Sequence, residues 1–182
     1  MLFVGKRGGY KNFNWMVSAL APMLKNGLKL FCTGLSFTSS ERELFNELGI
    51  SENVVQSFVS DIEMSALFGN AAAFIFPSRY EGFGIPILDA FAAGCPALLS
   101  NASCFPEVGA NAAMDFELDD PDDFRAKLRL LLDETSPKRA ELIRKGRERV
   151  KQFSWSKCAE ETAAVYRRVI SRVSKGSHGA LG

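Results

Sequence analysis

Two groups of residues in this chain have the types and spacing that chemistry needs. One is acidic: Glu81 and, eight positions on, Asp89, set around Gly82-Phe83-Gly84-Ile85-Pro86. The other is basic: Lys6, Arg7 and Lys11, set around Gly8 and Gly9. Ionised carboxylates accept hydrogen bonds from hydroxyls, so the acidic pair suits a polyhydroxylated ligand. Lysine and arginine supply charge-assisted donors, each contributing about 1.5–3 kcal/mol toward an anion such as a diphosphate. The glycines let either backbone approach a ligand closely or curl around it. Pro86 suits the first position of a helix, where its missing N–H has no intrahelical partner. Gly84 and Ile85 bring no side-chain oxygen as a cap, so the N–H groups of Ile87 and Leu88 are expected to be free for a phosphate. Asp89 is then expected in the first turn, beside the same ligand.

Each group needs a strand before it and a helix after it, and the pattern supplies both. Apolar runs at 1–4, 28–33, 53–59, 71–76, 96–100 and 112–116 read as six strands. Between them lie helical spacings. Phe13, Met16, Val17, Leu20, Met23 and Leu24 share one face, with Pro22 expected to bend or shorten the last turn. Thr38 or Ser39 caps a helix that ends near Leu48, and Ser60-Asp61 caps the next. The acidic stretch opens a helix over 87–93 that stops at Gly94. Helices over about 124–132, 137–152 and 154–173 finish the chain, with the first capped by the acidic turn at 119–123. Strands alternating with helices predict a three-layer α/β/α, Rossmann-like fold with a parallel sheet of about six strands, followed by carboxyl-terminal helices. In such a sheet ligands bind beyond the carboxyl ends of the strands, so the acidic and basic groups are expected on one rim.

The bulk properties narrow the function. With 47% hydrophobic and 24% charged residues, the chain has the composition of a soluble globular domain. A net charge of +1 gives no reason to expect nucleic acid as a partner. No run of eighteen apolar residues and no basic leader are visible, which points to the cytoplasm. Cys32, Cys95, Cys104 and Cys158 are scattered without a C-x-x-C pair, which predicts free, mostly buried thiols. The sole histidine, His178, lies in the tail, so no metal site is expected and Ser-His or Cys-His catalysis is excluded from the body. A first-turn G-x-G-x-x-G is absent, which argues against a dinucleotide dehydrogenase. One domain is expected over 1–174, with a disordered tail over 175–182. The basic helix bearing Lys138, Arg139, Arg144, Lys145, Arg147, Arg149 and Lys151 reads as a solvated face, with peripheral contact to an anionic membrane as the alternative. Trp155 reads as a core anchor.

The acidic stretch and the basic loop together resemble glycosyltransferase family 4, and within it bacterial mannosyltransferases. The family normally has Glu at both acidic positions, whereas this chain has Asp89 at the second. The resemblance runs from the first strand to Tyr166 and covers the carboxyl-terminal, donor-binding domain of a two-domain glycosyltransferase-B-type enzyme. It implies that Glu81 contacts hydroxyls of the donor sugar and that Asp89 accepts from the ribose. The backbone of Gly82, Phe83, Gly84 and Ile85 would lie against the sugar and diphosphate. Arg7 and Lys11 would bind the diphosphate, with Lys6 competing for the Arg7 role and Gly8 and Gly9 shaping the loop. Thr33, Gly34, Phe58 and Val59 would line the nucleoside pocket. The implied activity is retaining transfer of a hexose from a nucleoside-diphosphate sugar, with GDP-mannose preferred over UDP-sugars, to a saccharide or lipid-linked acceptor held by a missing amino-terminal domain. No cofactor or metal is expected beyond the nucleotide-sugar substrate. The rival expectation is a nucleotide-binding or interaction module with no catalysis of its own.

Overall fold

The computed structural model describes residues 1–176. The elements run β1 (Leu2–Phe3), α1 (Phe13–Lys25), β2 (Leu30–Thr33), α2 (Ser39–Glu47), β3 (Val54–Ser57), α3 (Asp61–Asn70), β4 (Phe74–Phe76), α4 (Ile85–Ala93), β5 (Ala97–Ser100), α5 (Phe105–Gly109), β6 (Met114–Phe116), α6 (Pro121–Leu132), α7 (Pro137–Val150) and α8 (Trp155–Gly176). The strands form one parallel sheet in the order β3-β2-β1-β4-β5-β6. This is the expected α/β fold. The chain builds outward from β1 to β3, then returns to lay β4 against the other side of β1. The reversal of strand order falls between β1 and β4, and the carboxyl ends at such a reversal are where sheets of this kind bind ligands.

Side-chain alternation along the strands sorts the core into two layers. Phe3, Leu30, Cys32, Ile75, Leu98 and Phe116 face one layer with the apolar faces of α1 and α6. Leu2, Phe74, Phe76, Ala97 and Leu99 face the other, with Ile87, Ala90 and Phe91 of α4. A period of two along each strand requires this division. All three residues of β4 are buried because it is an interior strand covered on both faces. Burial pushes the thiol of Cys32 up to about 12 and that of Cys95 up to about 11.

Local chemistry sets the helix starts. Thr38 and Ser60 each form a capping box, with Glu41 and Glu63 reaching back to the cap N–H. Asp120 caps α6 by accepting from the N–H groups of Asp122 and Asp123. Each such cap contributes about 1 kcal/mol. Two expectations change. Helix α1 continues through Pro22 to Lys25, because Met23 and Leu24 are buried and hold its last turn in the core. Helix α5 was not expected; at five residues it is too short to display a period.

The chain divides into two compact units, Met1–Val150 and the segment from Lys151 onward. The first holds the sheet with α1 to α7, and the second holds α8. Of the tail expected over 175–182, the first two residues lie in α8 and residues 177–182 are outside the described residues. Trp155 is 79% exposed and corrects the expected core anchor: it opens α8, whose Val165, Tyr166, Val169 and Ile170 are also exposed. The basic helix corresponds to α7 and is not simply a solvated face. Arg139 donates to the carbonyls of Ala72 and Leu131, both at 2.7 Å, and Arg149 donates to those of Val108 and Glu107. These guanidinium groups tie α7 to α6, to α5 and to the turn before β4 through main-chain oxygens.

Candidate functional site

The site is built where β1 and β4 end. After β1 the chain turns at Gly5, with φ 115, and runs through the basic loop to Asn12, a left-handed residue with φ 56 that opens α1. After β4 it runs through Pro77 to Gly84 into α4. The two loops are joined by their main chains: the Arg79 N–H donates to the Tyr10 carbonyl at 2.8 Å. That bond sets Lys11 opposite Glu81, whose Oε1 lies 2.5 Å from Lys11 Nζ. Only 14% of the Lys11 side chain and 13% of the Glu81 side chain remain exposed. Lys11 Nζ also stands 5.1 Å from the centre of the Phe76 ring and 5.4 Å from that of Tyr10. The ammonium is thus attracted by one carboxylate and two aromatic rings.

The far side of the acidic turn is held by the last residue of β5 and the loop after it. Ser100 Oγ donates to the Ser78 carbonyl at 2.5 Å. Ser103 Oγ accepts from the Glu81 N–H at 3.2 Å and donates to the Glu81 carbonyl at 2.8 Å. Arg79 forms a two-pronged ion pair with Asp119, from the turn after β6. Gly84 is required by geometry: it has φ 87, and a Cβ there would lie 2.9 Å from Ile87 Cδ1 and 3.3 Å from both Phe76 and Phe105. Gly82, by contrast, faces open space.

Comparison with known proteins shows the family of the chain. Residues 1–149 match the family described as glycosyl transferases group 1. The chain belongs to that family. It is 39% identical over 150 residues to an MMP alpha-(1->4)-mannosyltransferase of Mycolicibacterium hassiacum, covering 78% of this chain and 36% of that relative. It is 36% identical over 110 residues to O-antigen chain mannosyltransferase B of Escherichia coli, covering 60% of this chain and 29% of the relative. Among solved structures it is similar to a sucrose-phosphate synthase from Thermosynechococcus elongatus, with a TM-score of 0.77 and 25% identity over 94% of this chain and 45% of that one. It also shares the fold of the C-terminal domain of a glycosyl transferase group 1 family protein from Francisella tularensis, with a TM-score of 0.69 and 20% identity over 83% of this chain and 84% of that one. The chain thus spans about a third of the length of those two curated relatives.

Within this group 1 glycosyl transferase chain, the structure separates the residues that the sequence put forward together. Lys11 and Glu81 meet, and Gly82, Phe83 and Ile85 are exposed at the same turn. Lys6, Gly8 and Gly9 are exposed in the basic loop. Arg7 is a correction. Its Nε donates to Glu41 Oε1 at 2.8 Å, and its Nη2 donates to the carbonyls of Leu35 and Ser36 at 2.7 and 2.9 Å. Its guanidinium also lies 4.8 Å from the Phe37 ring. Arg7 therefore clamps the loop between β2 and α2, and its side chain is 7% exposed. Burial by itself raises the Glu41 pKa, but the Arg7 and Thr38 hydrogen bonds outweigh it and hold the carboxyl below its usual range.

Helix α4 brings two more corrections. It starts at Ile85, not Pro86, because Gly84 in the left-handed conformation folds its carbonyl over the first turn. The Ile87 N–H donates to that carbonyl at 2.9 Å and is not free. Asp89 is accordingly the fifth helical residue, one position later than a start at Pro86 gives and just past the first turn, and desolvation by the surrounding protein raises its pKa. Gly34 is also engaged on both sides: its N–H donates to Ser57 O at 3.2 Å and its carbonyl accepts from Gln56 Nε2. These bonds extend the pairing of β2 with β3 past Thr33. Thr33 is buried, whereas Phe58 is 79% exposed beside the half-buried Val59. The sequence reading missed Ser100 and Ser103. Their signal was Ser100 at the end of a strand, followed by the turn formers Asn101 and Ser103, and so on the same rim.

Proposed function

We propose that this chain is the donor-binding part of a retaining glycosyltransferase that takes a hexose from a nucleoside-diphosphate sugar, with GDP-mannose as the preferred donor. The observation that carries the reading is the meeting of Lys11 and Glu81 where β1 and β4 end. A cation and a carboxylate there match the two ends of a sugar diphosphate. Lys11 turns to the diphosphate and Glu81 is released to accept from sugar hydroxyls. The physical problem of the transfer is the negative charge that grows on the departing diphosphate. Once turned to the diphosphate on donor binding, the ammonium stabilises that charge without further reorganisation as it forms. Lys6, exposed one residue before the clamped Arg7, takes the second cationic role. The reading calls on no metal. The acceptor, a saccharide or a lipid-linked sugar, is assigned to a domain outside this chain, in keeping with the third of each relative that the chain spans. The mannosyltransferase names of those relatives support mannose over other hexoses.

Titration calorimetry of the 182-residue chain with GDP, UDP and GDP-mannose tests this. GDP and GDP-mannose are expected to bind and UDP to bind more weakly. Tight UDP binding with no GDP binding removes the mannose reading, and no binding of either nucleotide removes the donor site. A second reading, a nucleotide-binding module with no catalysis of its own, draws on the same partial coverage. Sugar transfer by the isolated chain would overturn it.

A further inference from the structure

The hydroxyl of Ser103 meets the main chain of Glu81 twice, accepting from its N–H and donating to its carbonyl. A single side chain thus satisfies both peptide groups of the residue whose carboxylate faces Lys11. The rest of the turn is tied elsewhere: Ser78 to Ser100, and Arg79 to Tyr10. Ser103 provides the tie at Glu81 itself. It does so from a costly conformation. Its φ is 54, in the left-handed region where glycine and asparagine are at ease and serine is not. Strain kept at one residue beside a ligand site points to what that residue holds in place.

We propose that Ser103 is a positioning residue for Glu81: its hydroxyl fixes the Glu81 peptide, and through it the stance of the carboxylate between Lys11 and the donor sugar. A site of this kind tolerates about 0.5 Å of error. The peptide plane governs where the side chain leaves the backbone, so loosening it spoils the alignment even when the fold stays intact. This inference rests on the reading of Lys11 and Glu81 as the donor site.

The experiment is a double-mutant cycle read by calorimetry, using GDP and GDP-mannose with the full chain. The quantity read is the ratio of the GDP-mannose to the GDP association constant. Glu81→Gln sets the reference, the change in ratio when the carboxylate is removed. Ser103→Gly is expected to move the ratio in the same direction by about 3–10-fold. In the Glu81→Gln background, Ser103→Gly is expected to change the ratio by less than about twofold, because the group it positions is gone. Glycine suits φ 54, which offsets part of the cost of the two lost hydrogen bonds, so a thermal melt should show Ser103→Gly folded at the assay temperature. Ser103→Asn tolerates the same φ and carries both a donor and an acceptor, so it should recover part of the ratio. An unchanged ratio in Ser103→Gly, or the same change in both backgrounds, overturns the proposal and leaves the donor site standing. If Glu81→Gln itself does not move the ratio, the donor-site reading falls and the proposal falls with it.

Discussion

Replacing Glu81 by Gln should tighten the binding of GDP even as it weakens the use of the sugar. Before a diphosphate can reach Lys11, the ion pair between Lys11 and Glu81 must open. The pair is short and nearly buried, at 2.5 Å with 14% and 13% of the side chains exposed. Exposed pairs contribute about 0.2–1 kcal/mol, while close pairs in buried interfaces reach about 1.5–7 kcal/mol in coupling energy. A pair that is mostly buried but still reached by water falls between, at about 1–2 kcal/mol, which corresponds to a factor of about 5–30. Glutamine keeps the shape and one acceptor oxygen but not the charge, so most of that competition disappears. GDP should therefore bind Glu81→Gln about 5–30-fold more tightly than the parent. GDP-mannose should gain less, because its hydroxyls lose a charged acceptor that contributes about 1.5–3 kcal/mol. The assay is calorimetric titration at one fixed salt concentration, with a thermal melt to verify the fold. GDP affinity that falls, or stays within twofold in a variant that melts like the parent, refutes the exchange of partners at Lys11. The same ion pair would re-form once GDP leaves, so the variant should also release product more slowly in the complete enzyme.

Three further outcomes follow from the same geometry. Lys11→Met should weaken GDP binding about 10–100-fold, the loss of one charge-assisted contact; a calorimetric change of less than threefold rejects its diphosphate role. Gly84→Ala should lower stability by about 1–3 kcal/mol, from the left-handed backbone and the 2.9 Å approach to Ile87 Cδ1, and a denaturant midpoint equal to the parent's contradicts this. Arg7→Ala should cost about 3 kcal/mol, because it leaves Glu41 buried without its partner, yet should leave GDP affinity within about twofold. That cost depends on pH. Glu41 has a folded pKa below the ordinary 4.5, so the clamp stabilises fully above 4.5 and loses its effect as pH falls through the lower folded value. The stability gap between parent and Arg7→Ala should thus be widest near neutral pH and close in acid; a gap that widens in acid shows the sign to be wrong.

The order of the elements was legible in the chain itself. Short apolar runs alternating with amphipathic ones can bury their faces in few ways, and a parallel sheet with helices on both sides is the one that fits. Thr38 with Glu41, and Ser60 with Glu63, announce their helices because a capping box is a purely local device. The rim was legible for the same kind of reason: Lys11 and Glu81 each follow a strand, and parallel strands deliver their carboxyl ends to one edge. Tertiary structure alone decided which charge of the basic loop is engaged by protein. Lys6 and Arg7 are neighbours with the same charge, and nothing local says which one turns inward. The answer depends on Glu41, thirty-four residues away, and on the carbonyls of Leu35 and Ser36. Likewise the position of Asp89 hangs on a single left-handed glycine that starts α4 early, and Ser103 matters only because β5 lies beside β4. Periodicity and caps act over a few residues and can be read in sequence, whereas the partner of a buried charge is whatever the folded chain brings to it.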